Sequence, residues 1–287
     1  MLDRRAALGA MGGGLALAAA APAVRAATPG QKLGKTPALL STSDGRLRAF
    51  ILMRGALDDR LVTGCFTARY WGCVNGAMTT LFDVASVSFS RYRRVADGYE
   101  SVSIEQTYFL DQTTGEVLET LLNPYTGKTV KVPNEGYPPS SVVFTPELDM
   151  KIAVPPPGMD LTHSTGPFIV RGDEVTVTES MVAVLAAPKG GKAGHFHETT
   201  THHARLGELT RPGTKKVRCE SHYTNVRSWR PWLEMGDHPG ETISTGHGSF
   251  GVVPADFPKA WIAGARRHRP ELLTDPGKLL LPLWNKA

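Results

Sequence analysis

Apolar side chains recur at every second position through most of this chain, and that period constrains the fold more than any other feature. Leu61 to Trp71 puts Val62, Phe66, Ala68 and Tyr70 on one face, and Thr80 to Ser90 follows with an apolar run. Successive side chains of a strand point to opposite faces, so such alternation predicts strands half-covered by a core. Asp58-Asp59 and Asn75-Gly76 mark turns, the second being a tight-hairpin signal. Tyr99 to Leu110 alternates again, with Val102, Ile104, Tyr108 and Leu110 on one side. Asp111 to Gly115 reverses it into Val117 to Leu122, and Asn123 to Gly127 reverses it once more, which predicts a three-stranded antiparallel meander. Val175 to Val184, Gly194 to His203 and Lys216 to Arg227 predict a second meander, and Leu47 to Met53 reads as the first strand.

Two segments break the pattern. Residues 133 to 166 hold Pro138-Pro139 and Pro155-Pro156-Pro157, so they predict a long crossing loop, either a flap over a cavity or a surface connection. Ala255 to Arg267 carries Phe257, Trp261, Ile262 and Ala265 at helical spacing and stops before Pro270, which predicts an amphipathic helix packed over one end or face of the sheet. The expected class is therefore mainly β, an antiparallel β-barrel or strongly curved sheet with a C-terminal α-helix.

The N-terminus reads as an export signal. Asp3-Arg4-Arg5 precedes an Ala/Gly/Leu run from Ala6 to Ala21 and a small-residue site at Val24-Arg25-Ala26. The paired arginines and the glycine-rich, weakly apolar run favour the twin-arginine export machinery as a partner, with an ordinary secretory signal or N-terminal anchor as the alternative. The run is too short and alanine-rich for a permanent membrane span. Residues 1–26 are then the signal, 27–45 a linker and 46–287 a single β-rich domain, expected to be periplasmic or secreted. Without the first 26 residues, 29 basic side chains face 26 acidic ones, a formal charge of +3 against +5 for the whole chain. The basic residues are interspersed with acids, so nucleic-acid binding has no support. Three cysteines without a C-x-x-C motif call for neither a disulfide framework nor a redox site.

The run from Tyr108 to Val130, Y-F-L-D-Q-T-T-G-E-V-L-E-T-L-L-N-P-Y-T-G-K-T-V, with Leu81-Phe82-Asp83 before it, resembles the signature of the bacterial and fungal family called domain of unknown function 1838. Ser228 to Gly240, S-W-R-P-W-L-E-M-G-D-H-P-G, is similar to a second landmark of that family. The resemblance covers roughly Leu47 to Pro276. It implies a twin-arginine signal, common in bacterial members, and brings with it no reaction and no catalytic residue.

Candidate chemistry therefore rests on the side chains. Gly194 to His203, G-H-F-H-E-T-T-T-H-H, packs four of the chain's nine histidines into ten residues. On a strand His195, His197, Thr199, Thr201 and His203 share one face, opposite Phe196, Glu198, Thr200 and His202. A hairpin register that sets Thr199 against His222 and Thr201 against Glu220 would add His222 and Glu220 to the first face. His195, His197 and His222 are then candidate ligands for a divalent metal such as zinc. Without a metal, His197 or His222 would work as acid and base with Glu179, which interrupts the apolar face of Val175, Val177, Met181 and Ala183. His203, Glu220, Tyr223 and Trp229 are candidate ligand contacts, although Tyr223, Trp229 and Trp232 also fit a core, and His202 and His238 read as surface residues. The bland alternative is a solvated threonine-rich strand.

Two functions follow. One is an exported enzyme acting on a small, largely apolar or aromatic molecule by His/Glu acid–base chemistry, with or without a metal. The other is a periplasmic binding or carrier protein using the same cavity without turnover.

Overall fold

The structure, a computed structural model, describes residues 37–134, 136–152, 159–186 and 193–285, all within one unit spanning Gly34–Ala287. The export-signal segment lies outside the described residues. The strands are β1 Val62–Val74, β2 Ala77–Val95, β3 Gly98–Leu110, β4 Thr120–Leu122, β5 Thr129–Lys131, β6 Ser140–Phe144, β7 Met150–Ile152, β8 Met159–Thr165, β9 Ile169–Arg171, β10 Glu174–Leu185, β11 Gly194–Arg205, β12 Cys219–Arg227 and β13 Glu241–Val252. Helices α1 Ser43–Arg54, α2 Leu206–Thr210, α3 Lys259–His268, α4 Glu271–Thr274 and α5 Pro276–Trp284 complete the described chain, apart from short single-turn pieces.

Among the described residues, eleven strands form one antiparallel sheet in the order β7-β6-β3-β2-β1-β13-β12-β11-β10-β8, with β9 beside β10. The sheet curls into a nearly closed barrel, because its two edges meet. Thr165 Oγ1 on β8 donates to Leu148 O in the β6–β7 turn at 3.1 Å, and the Phe144 ring of β6 lies 6.2 Å from that of His163 on β8. The expected class, an antiparallel barrel with a C-terminal helix, is what the chain adopts.

Local chemistry explains the frame. Asn75 and Gly76, with φ of 50° and 80°, make the tight turn between β1 and β2, a conformation that Asn and Gly adopt at least cost. The predicted second meander is β10, β11 and β12, paired in succession. The first one differs: Asn123 to Gly127 joins β4 to β5, but these form a separate two-stranded sheet, tied to β3 by a Leu110–Val117 bridge.

The predicted strand Leu47 to Met53 is instead helix α1, capped by Thr42, whose side chain accepts from Gly45 N. This helix begins inside the expected linker. Leu47, Ala49, Phe50, Ile51, Leu52 and Met53 are all 0% exposed, because α1 fills one end of the barrel and packs on Val175, Val177 and Ala204 on one side and Tyr92, Tyr99 and Phe144 on the other. The run Ala49 to Met53 is apolar and buried on every side, so it shows no 3.6-residue stripe and resembles a buried strand.

The expected crossing loop is also corrected. Its described parts hold β6, β7 and β8, all at or near the sheet edges, where proline is tolerated. The C-terminal helices cover the outer face of β2 and β3, where Ala85, Val87, Phe89, Val102 and Ile104 meet Phe257, Trp261, Ala265, Leu272 and Leu280. The apolar faces of these two strands thus point away from the barrel axis, leaving their serines, Glu105 and Thr107 to line its interior. Cys65, Cys73 and Cys219 are free thiols. No helix among the described residues is long and apolar enough to cross a membrane.

Candidate functional site

Beyond the end that α1 fills, the barrel encloses a cavity of about 670 Å³. Its wall combines the hydroxyls of Ser86, Ser88, Ser90, Ser101 and Ser103 with aromatic rings from every side, among them Phe66, Tyr70, Phe109, Phe196 and Trp232. A volume of that order suits one small molecule.

Strand β11 shows how the site is built. Phe196, Glu198, Thr200 and His202 line the cavity, while His195, His197, Thr199, Thr201 and His203 face out. The observed register sets Thr201 against His222 and His203 against Glu220, two residues from the expected one. A shift of two preserves the face, so His222 and Glu220 do share a side with the odd-numbered histidines, as the alternation predicts. That side is the outer one. Glu179, paired with Thr200, lies on the inner face, so the proposed partnership of Glu179 with His197 or His222 is not formed.

The outward histidines have separate local partners. His195 Nε2 lies 3.1 Å from Glu241 Oε2 and its Nδ1 2.9 Å from Ser228 Oγ, and His197 Nε2 lies 3.1 Å from Ser180 Oγ. His203 Nδ1 is 3.1 Å from Glu174 Oε1. The His222 ring stands between those of His203 and His247, at 5.6 and 6.4 Å. Glu220 accepts from Ser249 Oγ at 2.8 Å. His195, His197 and His222 therefore share no centre, and no three His, Cys, Asp or Glu side chains among the described residues converge to hold a metal. Trp229 packs on Tyr125 and donates to His238 O at 3.2 Å, away from the cavity. Tyr223, by contrast, lines it. Gly246 makes room for that ring, since a Cβ there would come within 2.6 Å of Tyr223 Cε1.

The inner cluster at the α1 end centres on Glu179, which is ion-paired with Arg54. His202 Nε2 lies 2.8 Å from its Oε1 and His163 Nε2 3.0 Å from its Oε2. An ionised carboxylate only accepts, so each ring carries its proton on Nε2. His202 Nδ1 is then an acceptor for the Ser221 hydroxyl at 2.8 Å. Burial, helped by the Arg54 charge, holds His163 down to about 4 and His202 well below the usual histidine range, so both rings are neutral near pH 7. Ser221, His202 and Glu179 have the connectivity of a serine nucleophile, base and orienter, yet Ser221 is 0% exposed and absent from the cavity wall. Its hydroxyl donates to the Nδ1 that the Glu179 contact leaves unprotonated.

His202 is thus a buried member of the cluster rather than a surface residue. Alternation separates it from its neighbours but does not say which face is inside, because both faces of β11 are polar. Arg54 follows Leu47 to Met53, expected as a strand, and His163 lies in the expected crossing loop.

Further along the barrel stands a second polar group. Glu198 accepts from Asn225 Nδ2 at 3.3 Å and Thr200 Oγ1 at 3.4 Å, and burial raises its carboxyl above the usual range. Beyond it come Arg227, over the Phe196 ring at 5.7 Å, and Arg230, over Tyr70 and Phe109 at 5.2 Å each. His202 and Phe196, which mark the two ends, are about 20 Å apart at the rise of a strand.

No family model matches the chain, and no curated protein matches it. Among solved structures it is similar to a Bacteroides fragilis protein with a YmcC-like fold, at 7% identity over 66% of this chain and 95% of that chain, with a TM-score of 0.21. A likeness so slight carries no argument.

Proposed function

We propose that the protein is a barrel that binds one small, largely apolar or aromatic molecule in its interior, as a periplasmic binding or carrier protein. The observation that carries this reading is the cavity of about 670 Å³ inside the sheet, with aromatic walls and polar groups at both ends. The resemblance to domain of unknown function 1838 and the twin-arginine reading of residues 1–26 favour action outside the cytoplasm. Native mass spectrometry of protein purified from its own compartment tests it. A bound, chemically unaltered small molecule is expected, and a cavity that accepts no organic ligand overturns the reading.

Glu198 favours a second reading, an acid–base enzyme. A carboxyl raised by burial on the wall of a cavity is suited to proton transfer. The Glu179 group suits it less, because both histidine N–H groups and Arg54 are committed to one carboxylate. Turnover of the bound molecule that Glu198→Gln abolishes, with binding retained, would select the enzyme.

A further inference from the structure

We propose that Arg227 and Arg230 form an anion subsite, and that the molecule held in the barrel has an oxyanion head group on an apolar or aromatic body. This rests on the proposal that the cavity holds a ligand, and it names the class of that ligand.

Both arginines line the cavity, Arg227 from the end of β12 and Arg230 from the segment that follows. Neither has a carboxylate within ion-pair distance among the described residues, whereas fourteen other Arg and His side chains do. Glu198, on the same wall, is held by Asn225 and Thr200 instead. The guanidinium carbon of Arg227 lies over the Phe196 ring and that of Arg230 over the Tyr70 and Phe109 rings, contacts that leave N–H groups free to donate. Among those groups the Nε of Arg227 and of Arg230 are buried and have no hydrogen-bond partner, as is the indole Nε1 of Trp232. Arg230 Nη2 spends one bond on Tyr70 Oη at 3.2 Å.

An unpaired cation drawn out of water is costly, and Arg227 and Arg230, both half-buried, are stabilised when something negative joins them. Burial, with the Arg230 charge adding, pulls Arg227 down to about 10, so it is still a cation near pH 7. Guanidinium edges match the two oxygens of a carboxylate, sulfonate or phosphate. The aromatic rings and Met181 supply contacts for the body that such a head group would carry.

Fluorescence titration of the purified full chain with anilinonaphthalene sulfonate and with phenylnaphthylamine tests this. The two probes share an apolar body and differ by the sulfonate. The sulfonate is expected to bind about tenfold tighter or more, as charge-assisted hydrogen bonds require. Arg227→Gln with Arg230→Gln should erase that preference and leave phenylnaphthylamine binding in place. Equal affinities in the wild type, or a preference that survives the double variant, overturn the subsite. Should the double variant not fold, displacement of phenylnaphthylamine from the wild type by decanoate but not decanol supports the subsite, and equal displacement overturns it. Ser103→Trp fills the cavity and should abolish both probes; sulfonate that still binds there lies elsewhere and counts against the subsite. If neither probe binds the wild type, cavity binding itself fails.

Discussion

His202 Nε2 lies 2.8 Å from Glu179 Oε1, a hydrogen bond that joins β11 to β10 inside the barrel where Arg54 brings in the end of α1. Glu179 is the common acceptor for groups from α1, β8 and β11. Replacing it with Gln removes the charge that neutralises Arg54 and leaves both histidine N–H groups with a weaker acceptor. Glu179→Gln is expected to cost about 3 kcal/mol, the scale for breaking one side of a buried pair. Urea unfolding measures it, and a loss below about 1 kcal/mol would show the pair to be no better than a surface one.

Stability should fall on mild acidification. Unfolded, His163 and His202 take up protons as the pH drops through 6.5, whereas folded His163 does so only near 4 and folded His202 only well below 6.5. The unfolded chain therefore binds more protons across that window, and the contribution of each ring is complete above 6.5 and lost below it. Each ring should account for about 1.4 kcal/mol per pH unit. Urea midpoints at about pH 7 and pH 5 compare the states; identical stabilities would refute the buried, neutral assignment. His163→Gln should flatten the slope.

The outer histidines should be dispensable. A variant with His195, His197 and His222 all changed to Ala is expected to fold, to stay within about 0.5 kcal/mol per site of the wild type and to bind phenylnaphthylamine unchanged. Loss of probe binding in a folded variant would return the site to the outer face.

Trp261 is 0% exposed and its Nε1 donates to Gln106 O at 2.8 Å, so it anchors α3 to β3. Trp261→Ala should cost about 4 kcal/mol. A thermal melt reads this, and a change below about 1 kcal/mol would mean that the helix contributes little to holding the sheet.

The strands were legible where one face is apolar and one turn residue forces a reversal, as at Asn75-Gly76. Glu179 was legible as well, since a lone carboxylate on the face of Val175 and Val177 stands out. The direction of β11 was not, because Glu198, Thr200 and His202 line a polar cavity while His195, His197 and Thr201 meet solvent, and hydropathy cannot rank two polar faces. Arg227 and Arg230 are not legible in the sequence for a related reason: an arginine in a barrel interior looks like any surface arginine until its neighbours are placed. The helix α1 was hidden by burial on all sides.

That enclosure of α1 sets the order in which the chain can reach its final state. The helix precedes every strand in the sequence, yet its Arg54 closes on Glu179, 125 residues later, and β1 pairs with β13, which comes last of all the strands. A ribosome releases the plug well before the wall that surrounds it. Contacts of such long sequence separation make for slow folding and a prolonged period with apolar α1 uncovered. A helper that shields Phe50 to Met53 during synthesis would act on the part of the chain that the finished barrel hides most completely.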